Sequence, residues 1–560
     1  MVGGVAGGMS FAARARRLAE DAEIVVLERD PYVSYANCGL PYYLGGEIAD
    51  RDDLLLHTPR SLAESLALDV RTGHEVVAVD TSRREVRVRE VASRREYLET
   101  YDALVLSTGA TPVVPPVPGT DLPQVRTLRS VPDADRVQEL LTGARSAVVV
   151  GAGFIGLESA EALRHRGLAV TVVELAAQVL PVLDPEMAGA VEAALVRGGV
   201  AVRTGTSVTG IRPAVDGVLV ELSDATVLAA DLVLLAVGVR PETGLAAGAG
   251  LAQDPRGCIV VDEHLRTSAA GVYAVGDAIQ VVDAVLGEPA SVPLAGPANR
   301  QGRAVADHLF GRTGSTGRTT RSSRVLGTAI VRVFDTVAAT TGRSEGALRG
   351  AGVDVHAVHL HPGDHAGYYP GAEAMHLKVV FGTDGRVLGA QATGGRGVDK
   401  RVDVLATAIR AGLHVDDLAE LELAYSPPFG SAKDPVNMAG FLAQNVLAGD
   451  VVLWHAADLS WLPDDAVLLD VRSREEHEEG HLAGSLNIPH TELRARLGEL
   501  PRDVPVWAYC ASGFRSYLAS RVLRQRGWRD VRTLSGGLQT LELAAPGLVC
   551  APCAQVAPQV

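Results

Sequence analysis

The feature that most constrains the fold is the glycine-rich turn Gly151-Ala152-Gly153-Phe154-Ile155-Gly156, which follows the apolar run Ala147–Val150 directly. Glycines at this spacing permit a tight strand-to-helix turn and let the backbone approach a pyrophosphate. The next predicted strand, Ala169–Val173, ends at Glu174, where a carboxylate reaches a ribose hydroxyl. The pattern therefore predicts a βαβ unit that binds a dinucleotide.

A second copy of this pattern begins the chain, at Gly3-Gly4-Val5-Ala6-Gly7-Gly8. A helix is predicted over Met9–Glu20, and a strand over Glu23–Leu27 ends at Glu28. Val5 replaces the middle glycine, and only Met1 and Val2 stand where a first strand is expected, so we expect that strand to be truncated. Two such units predict two dinucleotides, a flavin and a nicotinamide.

A single cysteine lies in the stretch Ser34-Tyr35-Ala36-Asn37-Cys38-Gly39-Leu40-Pro41-Tyr42-Tyr43. The stretch follows an apolar strand and is typical of a helix N-terminus, where free N–H groups and the helix dipole favour an anion. We therefore expect the Cys38 thiol to ionise more readily than a free thiol, whose pKa is about 8.5. This thiol is the predicted reaction centre.

The region after the glycine- and serine-rich segment 311–323, which is predicted to be a linker, alternates strands with few helices and predicts an α+β domain. Its aromatic residues cluster in Tyr368-Tyr369-Pro370 and Tyr425-Ser426-Pro427-Pro428. The predicted elements are strands Thr328–Val333, Val353–Leu360, Ala374–Phe381 and Val387–Ala392 and a helix Val398–Ala411.

A second cysteine loop lies near the C-terminus. The predicted strand Val504–Tyr509 leads into Cys510-Ala511-Ser512-Gly513-Phe514-Arg515-Ser516, and a helix is predicted from Tyr517. Backbone N–H groups in such a turn would hold a thiolate, a persulfide or an oxyanion. The pair Cys550 and Cys553 lacks two further ligands nearby in the sequence, so no metal site is predicted.

Composition narrows the class of protein. A net charge of -15 argues against a nucleic-acid partner. No apolar run nears the roughly 20 residues of a membrane span, so no membrane partner is predicted. Five scattered cysteines do not make a disulfide framework and favour a reducing, cytoplasmic compartment.

With these motifs in place, residues 1–445 resemble the single-cysteine branch of the pyridine nucleotide-disulfide oxidoreductases, and within it the coenzyme A-disulfide reductases. Residues 455–545 resemble a rhodanese domain through Asp470-Val471-Arg472, Gly480–Ser485 and the Cys510 loop. The resemblance implies an α/β fold with two Rossmann-like domains, an α+β dimerisation domain and an α/β rhodanese domain. The implied boundaries are 1–115 and 246–322 for FAD, 116–245 for NAD(P)H, 323–448 for dimerisation, 449–545 for rhodanese and 546–560 for a tail.

The resemblance also implies site residues. FAD would bind the first unit with Glu28 and Asp277, and NADH, with NADPH possible, would bind the second unit with Glu174. The implied cofactor-binding set is Gly3, Gly4, Val5, Ala6, Gly7, Gly8, Glu28, Thr108, Gly109, Gly151, Gly153, Phe154, Ile155, Gly156, Glu174, Gly276, Asp277, Pro293, Leu294 and Ala295. Coenzyme A would contact Ser10, Arg14, Arg17, Ser34, Asn37, Asn299 and Lys433.

Three functions follow from this resemblance. Position 43, five residues after Cys38, is a tyrosine and not the second cysteine of a C-x-x-x-x-C pair, so Cys38 would exchange with an external sulfur. The favoured function is reduction of coenzyme A-disulfide, a persulfide or a polysulfide by a homodimer, in which Tyr425 and Tyr368 or Tyr369 reach the partner's site, coupled to sulfur transfer at Cys510. The alternatives are an NADH oxidase or peroxidase that cycles through a sulfenic acid, and a sulfur carrier or redox sensor without steady turnover.

Overall fold

The computed structural model describes residues 1–312 and 324–550, and these fall into two compact units. The first unit is Met1–Ala177 with Gly198–Gly327, and the second is Gln178–Arg197 with Thr328–Val560. Most of the predicted linker and the last ten residues, including Cys553, lie outside the described residues. The finer domain boundaries given above stay predictions.

The first unit contains a parallel sheet built around the start of the chain. Val2 bridges Leu27 on one side and Leu106 on the other. The Val2 N–H donates to the Val105 carbonyl at 2.9 Å, and the Gly3 N–H donates to Leu27 at 2.9 Å. The central strand is therefore as short as the sequence indicates, yet it is hydrogen-bonded on both sides. Val25–Glu28 and Leu104–Leu106 lie on either side of it, and the parallel strands Asp69–Thr72 and Val272–Ala274 pair with these two in turn.

A second parallel sheet in this unit has five strands and carries the complete glycine motif. Its strands are almost wholly apolar because helices cover both faces of such sheets. In spatial order they are Ala201–Arg203, Ala169–Val173, Ser146–Val150, Leu232–Leu235 and Val125–Thr127.

The first unit also has smaller, mostly antiparallel sheets, which the sequence analysis did not predict. Their residues alternate between buried and solvent-facing positions, so no continuous apolar run marks them. They comprise His74–Asp80, Glu85–Glu90 and Glu96–Thr100; Val208–Pro213, Val218–Leu222 and Val227–Ala230; Ala110–Pro112 with Val239–Pro241; and Val281–Asp283 with Pro289–Ala290 and Arg324–Val325.

The second unit contains two five-stranded sheets, one antiparallel and one parallel. The antiparallel sheet runs Ala329–Val333, Thr336–Gly342, Val387–Gly394, Met375–Gly382 and Val355–Leu360. The parallel sheet runs Leu453–Trp454, Val531–Leu534, Val506–Tyr509, Val467–Asp470 and Leu486–Asn487, and beside it His481–Leu482 pairs with Val549–Cys550.

Helices cover the sheets in both units. None of the helices within residues 1–312 and 324–550 is both long and apolar enough to cross a bilayer. The α-helices are Ala6–Leu18, Leu40–Gly45, Pro59–Leu66, Val131–Leu141, Phe154–His165, Pro185–Arg197, Gly244–Gly248, Ala295–Leu309, Glu345–Gly350, Val398–Ala411, Val415–Glu420, Pro435–Leu447, Arg474–Glu479, Phe514–Gln525 and Gly537–Ala544. Short 3₁₀ turns span Asn37–Gly39, Arg51–Leu54, Gly276–Ala278, Ala456–Trp461 and Leu497–Glu499.

A buried ion cluster fixes the helix Pro185–Arg197 to the antiparallel sheet of the second unit. The Lys378 ammonium lies 2.9 Å from Asp184 Oδ2 and 2.8 Å from Glu345 Oε2, and it also contacts Glu186. The Lys378 side chain is only 1% exposed. Because burying an unpaired charge is costly, the three carboxylates and the ammonium stabilise this junction only as a group. The ammonium fills the position that a metal ion would take among these acids.

Buried histidines beside this cluster make the second unit sensitive to acid. Burial, and then the nearby charge of His359, lowers the pKa of His361 from an ordinary 6.5 to about 4. Burial likewise lowers the pKa of His455 to about 4. Both rings are neutral when folded, so the unfolded chain binds more protons below pH 6.5.

We therefore predict that the second unit loses stability as the pH falls from 6.5 toward 4. Burial would raise the pKa of Glu345, but Lys378 holds it near 2, so Glu345 adds to this loss of stability only below its ordinary 4.5. Scanning calorimetry at pH 7.5 and at pH 5 should show that the unfolding temperature of the second unit is several degrees lower at pH 5. His361→Gln should flatten the pH dependence, whereas His356→Gln, on the same edge of the sheet, should not. Equal pH dependence in wild type and His361→Gln would contradict this account.

Candidate active site

A cavity of about 450 Å³ in the first unit is lined by the first glycine loop and the acids near it. Arg129 and Glu242, which the sequence analysis did not select, also line it. The sequence-predicted cofactor residues that line this cavity are Gly3, Gly4, Val5, Ala6, Gly7, Glu28, Thr108, Gly109, Gly276 and Asp277.

The two glycine loops share one construction. A Cβ on Gly8 would lie 2.0 Å from the Gly3 carbonyl oxygen, and a Cβ on Gly156 would lie 2.0 Å from that of Gly151. In both glycine loops the end of the strand and the start of the following helix are therefore in direct backbone contact. Val5 can replace the middle glycine because its φ of -113° is negative, so the position needs no left-handed backbone conformation.

A carboxylate closes each loop. Glu28 Oε2 accepts the Gly4 N–H at 2.7 Å, and Glu174 Oε2 accepts the Ala152 N–H at 2.6 Å. Burial raises the pKa of Glu28. Gly153 has open space around its Cβ position, at the start of the helix that begins with Phe154 and Ile155. Free N–H groups, open space and a closing acid fit a dinucleotide at both loops.

Four predicted cofactor residues lie elsewhere. Gly8 does not line the cavity, because it packs on the Gly3 carbonyl behind the loop. Pro293 and Leu294 precede the helix Ala295–Leu309 and also lie outside the cavity lining. Ala295 lines a second cavity.

This second cavity, of about 560 Å³, is also in the first unit, and it shares Val5, Ala6, Tyr35 and Asn37 with the first, so the two adjoin. The predicted substrate residues that line it are Ser10, Arg14, Arg17, Ser34, Asn37 and Asn299. Lys433 is an exposed residue of the second unit and does not line it.

Arginines dominate the polar lining of this cavity. Arg300 and Arg303, one and four residues after Asn299, line it together with Arg14 and Arg17. Arg14 was expected to bind a ligand anion, but its Nε donates to Asp307 at 2.7 Å, so much of its charge is already neutralised. The remaining guanidinium groups make the cavity suitable for an anionic ligand.

Cys38 lies in the 3₁₀ turn Asn37–Gly39, just before the helix Leu40–Gly45, and it is exposed. Its thiol donates to Asn37 Oδ1 at 3.8 Å. Burial of the sulfur, and then the carboxylates of Glu158 and Asp277, raise the pKa of the Cys38 thiol. The expectation of a lowered pKa was therefore wrong, because burial of the sulfur, together with two acids from other parts of the chain, outweighs the local helix start.

Glu158 was missed by the sequence analysis. It lies in the helix after the second glycine loop, and its Oε1 accepts the Tyr42 hydroxyl at 2.9 Å. Burial raises the pKa of Glu158. Its proximity to Cys38 depends on the packing of the helix Leu40–Gly45 against Phe154–His165, for which the sequence offers no local signal.

The second unit places two predicted tyrosines together. The hydroxyls of Tyr368 and Tyr425 lie 3.2 Å apart, and the residues are 76% and 49% exposed. Tyr369 instead packs its ring edge-on against His365, with 5.7 Å between ring centroids. The pairing favours Tyr368 over Tyr369 as the partner of Tyr425.

The Cys510 loop (residues 510–516) has the predicted construction. Cys510 Sγ accepts the Gly513 N–H at 3.2 Å and the Ser516 N–H at 3.4 Å, and the Ser516 hydroxyl lies 3.5 Å away. Ala511, Ser512 and Phe514 complete the turn, and Phe514 is 65% exposed. These donors can stabilise a thiolate or a terminal persulfide anion.

A bidentate ion pair holds the far side of this loop. Arg515 donates to Glu476 through Nη1 at 2.6 Å and through Nη2 at 2.7 Å. This pair holds the pKa of Glu476 near 2, against the effect of burial. The Arg515 charge is therefore largely neutralised before a sulfur donor arrives.

Family models match nearly the whole chain. A model described as pyridine nucleotide-disulphide oxidoreductase matches residues 1–302, and its dimerisation-domain model matches 328–435. A rhodanese-like domain model matches 455–543. The predicted α/β fold class, with its dimerisation and rhodanese parts, is confirmed.

Individual relatives agree with this assignment. A coenzyme A disulfide reductase of Staphylococcus haemolyticus is 35% identical over 449 residues, covering 80% of this chain and 99% of that protein. The crystal structure of reduced Bacillus anthracis CoADR-RHD has a TM-score of 0.94 at 42% identity, covering 98% of both chains. An NAD-dependent persulfide reductase from A. fulgidus has a TM-score of 0.90 at 39% identity, covering 96% of this chain and 99% of the other. The chain therefore belongs to the pyridine nucleotide-disulphide oxidoreductase family and carries a C-terminal rhodanese-like domain.

Proposed function

We propose that this chain is a FAD-dependent NAD(P)H oxidoreductase that reduces coenzyme A-disulfide, coenzyme A-persulfide or polysulfide through Cys38. Its rhodanese-like domain supplies sulfane sulfur at Cys510. The observation that carries the proposal is an exposed thiol, Cys38, next to Asn37, which lines both the dinucleotide-fitting cavity and the arginine-lined one. The relatives described as coenzyme A disulfide and persulfide reductases support the same chemistry.

Cys38 needs a sulfur from outside the chain. Within the first unit, the other free cysteine of the described residues is Cys258, which is buried and hence cannot serve as a partner. A disulfide substrate supplies the missing sulfur: the Cys38 thiolate attacks one sulfur, forms a mixed disulfide and releases one thiol. Coenzyme A suits the second cavity because its phosphates would pair with Arg17, Arg300 and Arg303.

The net reaction balances without another reagent. A coenzyme A-disulfide, NADH and a proton give two coenzyme A thiols and NAD⁺. A coenzyme A-persulfide, NADH and a proton give one coenzyme A thiol, H₂S and NAD⁺, with Cys38 taking the outer sulfur. Flavin bound in the first cavity supplies the relay of two electrons from nicotinamide to sulfur. Glu158, hydrogen-bonded to Tyr42, is a carboxyl group near Cys38 that can take the proton of the Cys38 thiol.

We also propose that the protein works as a homodimer. The second unit exposes large apolar and aromatic side chains at Tyr368, Tyr425, Phe429 and Phe441. Such a set is typical of a surface covered by a partner subunit. In the dimer, the hydroxyls of Tyr368 and Tyr425 would reach the partner's Cys38 and protonate the leaving coenzyme A thiolate.

An NADH oxidase is the second candidate, because an NADH oxidase of Methanocaldococcus jannaschii is 33% identical over 444 residues. Such enzymes usually carry a histidine in the first glycine loop, where this chain has Ala6, and they have no use for a rhodanese domain. This function would require Cys38 to form a sulfenic acid with peroxide or oxygen.

The deciding experiment measures kcat/KM for NADH oxidation with coenzyme A-disulfide, coenzyme A-persulfide, polysulfide and peroxide. We expect the sulfur substrates to exceed peroxide at least tenfold, because each offers Cys38 a sulfur to attack and the two coenzyme A substrates also fill the arginine-lined cavity. Cys38→Ser should lower the coenzyme A-disulfide rate roughly a thousandfold or more, as for loss of a nucleophile. Cys258→Ser is the matched control and should leave it unchanged. A preference for peroxide or oxygen would replace this proposal with the oxidase.

We further predict a preference for NADH over NADPH. Glu174 ends the strand where a ribose lies, and its charge would repel a 2′-phosphate. Arg164, on the adjoining helix, is occupied by the carbonyls of Gly198 and Leu168, which leaves Arg166, in the loop after that helix, as the arginine that could offset this repulsion. Glu174→Gln should bring kcat/KM for NADPH closer to kcat/KM for NADH. Glu221→Gln, in an antiparallel sheet of the same unit, should leave the two values as far apart as in the wild type. Equal kcat/KM for NADH and NADPH in the wild type would exclude this role.

A further inference from the structure

The second unit contains a buried group of histidines that the proposed chemistry does not use. The histidine cluster is His359, His361 and His376, all from the antiparallel sheet or its edge. His359 and His376 are 4% and 5% exposed, and the rings of His361 and His376 stack 4.4 Å apart. Burying a polar ring costs free energy unless the ring is hydrogen-bonded. The hydrogen-bond partners of these histidines therefore show which part of the structure they stabilise.

These partners lie in the rhodanese-like domain. Ser535 Oγ lies 2.9 Å from His359 Nδ1 and also accepts the His359 backbone N–H at 3.2 Å. Thr540 Oγ1 lies 2.9 Å from His361 Nε2 and 3.2 Å from His376 Nε2. His359 Nε2 lies 2.9 Å from Glu186 Oε1, so both ring nitrogens of His359 have a hydrogen-bond partner.

Ser535 and Thr540 flank the turn that supports the Cys510 loop. The double-glycine turn, Ser535–Gly537, leads into the helix Gly537–Ala544. At the start of this helix, the Leu538 N–H donates to the Cys510 carbonyl at 2.9 Å, and the Gln539 N–H donates to Ala511 at 3.0 Å. The backbone of the Cys510 loop is therefore fixed by this turn.

The double-glycine turn is tightly packed between the histidines and the Cys510 loop. A Cβ on Gly536 would lie 2.0 Å from Thr540 Oγ1 and 2.8 Å from His359 Cβ. A Cβ on Gly537 would lie 2.5 Å from the Cys510 carbonyl oxygen. Both glycines have positive φ, at 70° and 65°, so neither the space nor the backbone admits another residue.

We propose that the histidine cluster positions the Cys510 loop for sulfur transfer by holding Ser535 of the double-glycine turn and Thr540 of the helix that follows it. His359, His361 and His376 are positioning residues, since they act on Cys510 through the turn. Sulfur transfer then depends on the antiparallel domain as well as on the rhodanese-like domain. The inference rests on the proposed sulfur transfer at Cys510.

The assay is thiosulfate:cyanide transfer by the full chain. The Cys510 thiolate takes the outer sulfur of thiosulfate and releases sulfite; cyanide then removes that sulfur as thiocyanate and restores the thiolate. Thr540→Val is isosteric and leaves His361 and His376 without their hydroxyl partner. We expect kcat/KM for thiosulfate to fall about tenfold, which is the effect expected from the loss of one buried hydrogen-bond network.

Two controls separate positioning from loss of stability. Thr540→Ser keeps the hydroxyl and should restore transfer to within about twofold of wild type. Thr341→Val makes the same change at a buried threonine whose hydroxyl bonds Thr328 within the antiparallel sheet, and it should not slow transfer. Coenzyme A-disulfide reduction at Cys38 should persist in all three variants and reports that the chain is folded.

Hydrogen exchange gives a second measurement if sulfur transfer by a variant is too slow to measure. Amide hydrogen exchange at Gly513 and Ser516 should be faster in Thr540→Val than in Thr341→Val. Ser535→Ala, a smaller deletion, should show the same change if Thr540→Val does not fold. Unchanged transfer and unchanged exchange in these variants would overturn the positioning role. Absence of sulfur transfer in the wild type, with exchange still altered, would overturn only the proposed function of Cys510.

Discussion

Both glycine loops depend on one direct contact between backbone atoms. Gly8 and Gly156 each press on the carbonyl of the glycine that begins their loop, so close that a single Cβ would not fit. Because of this approach, the following helix starts directly at the strand end, and its N–H groups face Glu28 or Glu174 and the adjacent open space. Val5 shows that the middle glycine is not part of this constraint. The cavity beside Cys38 follows from the same packing, since its floor is the helix Ala6–Leu18.

The electrostatics around Cys38 disfavour a standing thiolate, so the thiolate that attacks a disulfide forms only as the thiol gives up its proton. Burial and the carboxylates of Glu158 and Asp277 disfavour the anion, so the resting residue is a neutral thiol. A mixed disulfide is also neutral and suits the same surroundings. Its second sulfur would carry a ligand whose anionic part lies among Arg17, Arg300 and Arg303. The charge distribution therefore separates a neutral reaction centre from a cationic anchoring region.

Local patterns were sufficient for a large part of the fold. The strand Ala169–Val173 and the helix Val398–Ala411 have the bounds that apolar periodicity predicted, because each packs one continuous apolar face. The solitary Cys38 and the Cys510 turn were also predictable from their flanking residues. By contrast, the antiparallel sheets of the first unit carry short alternating patterns that resemble loops. No sequence motif indicated Arg303 as a site residue, and Glu158 lies near Cys38 only through a helix contact made 120 residues after Cys38 along the sequence. The histidine cluster depends on residues more than 170 positions apart, such as His359 and Ser535.

The central claim is that Cys38 exchanges with an external thiol of coenzyme A size, and the mass of the protein as purified tests it most directly. Intact-protein mass spectrometry without reductant should show an adduct with the mass of coenzyme A. The adduct should map to the Cys38 peptide, disappear with dithiothreitol, and be absent from Cys38→Ser while remaining in Cys258→Ser. Finding Cys38 instead in a disulfide with another cysteine of this chain, or as a stable sulfenic acid under the same conditions, would contradict the account.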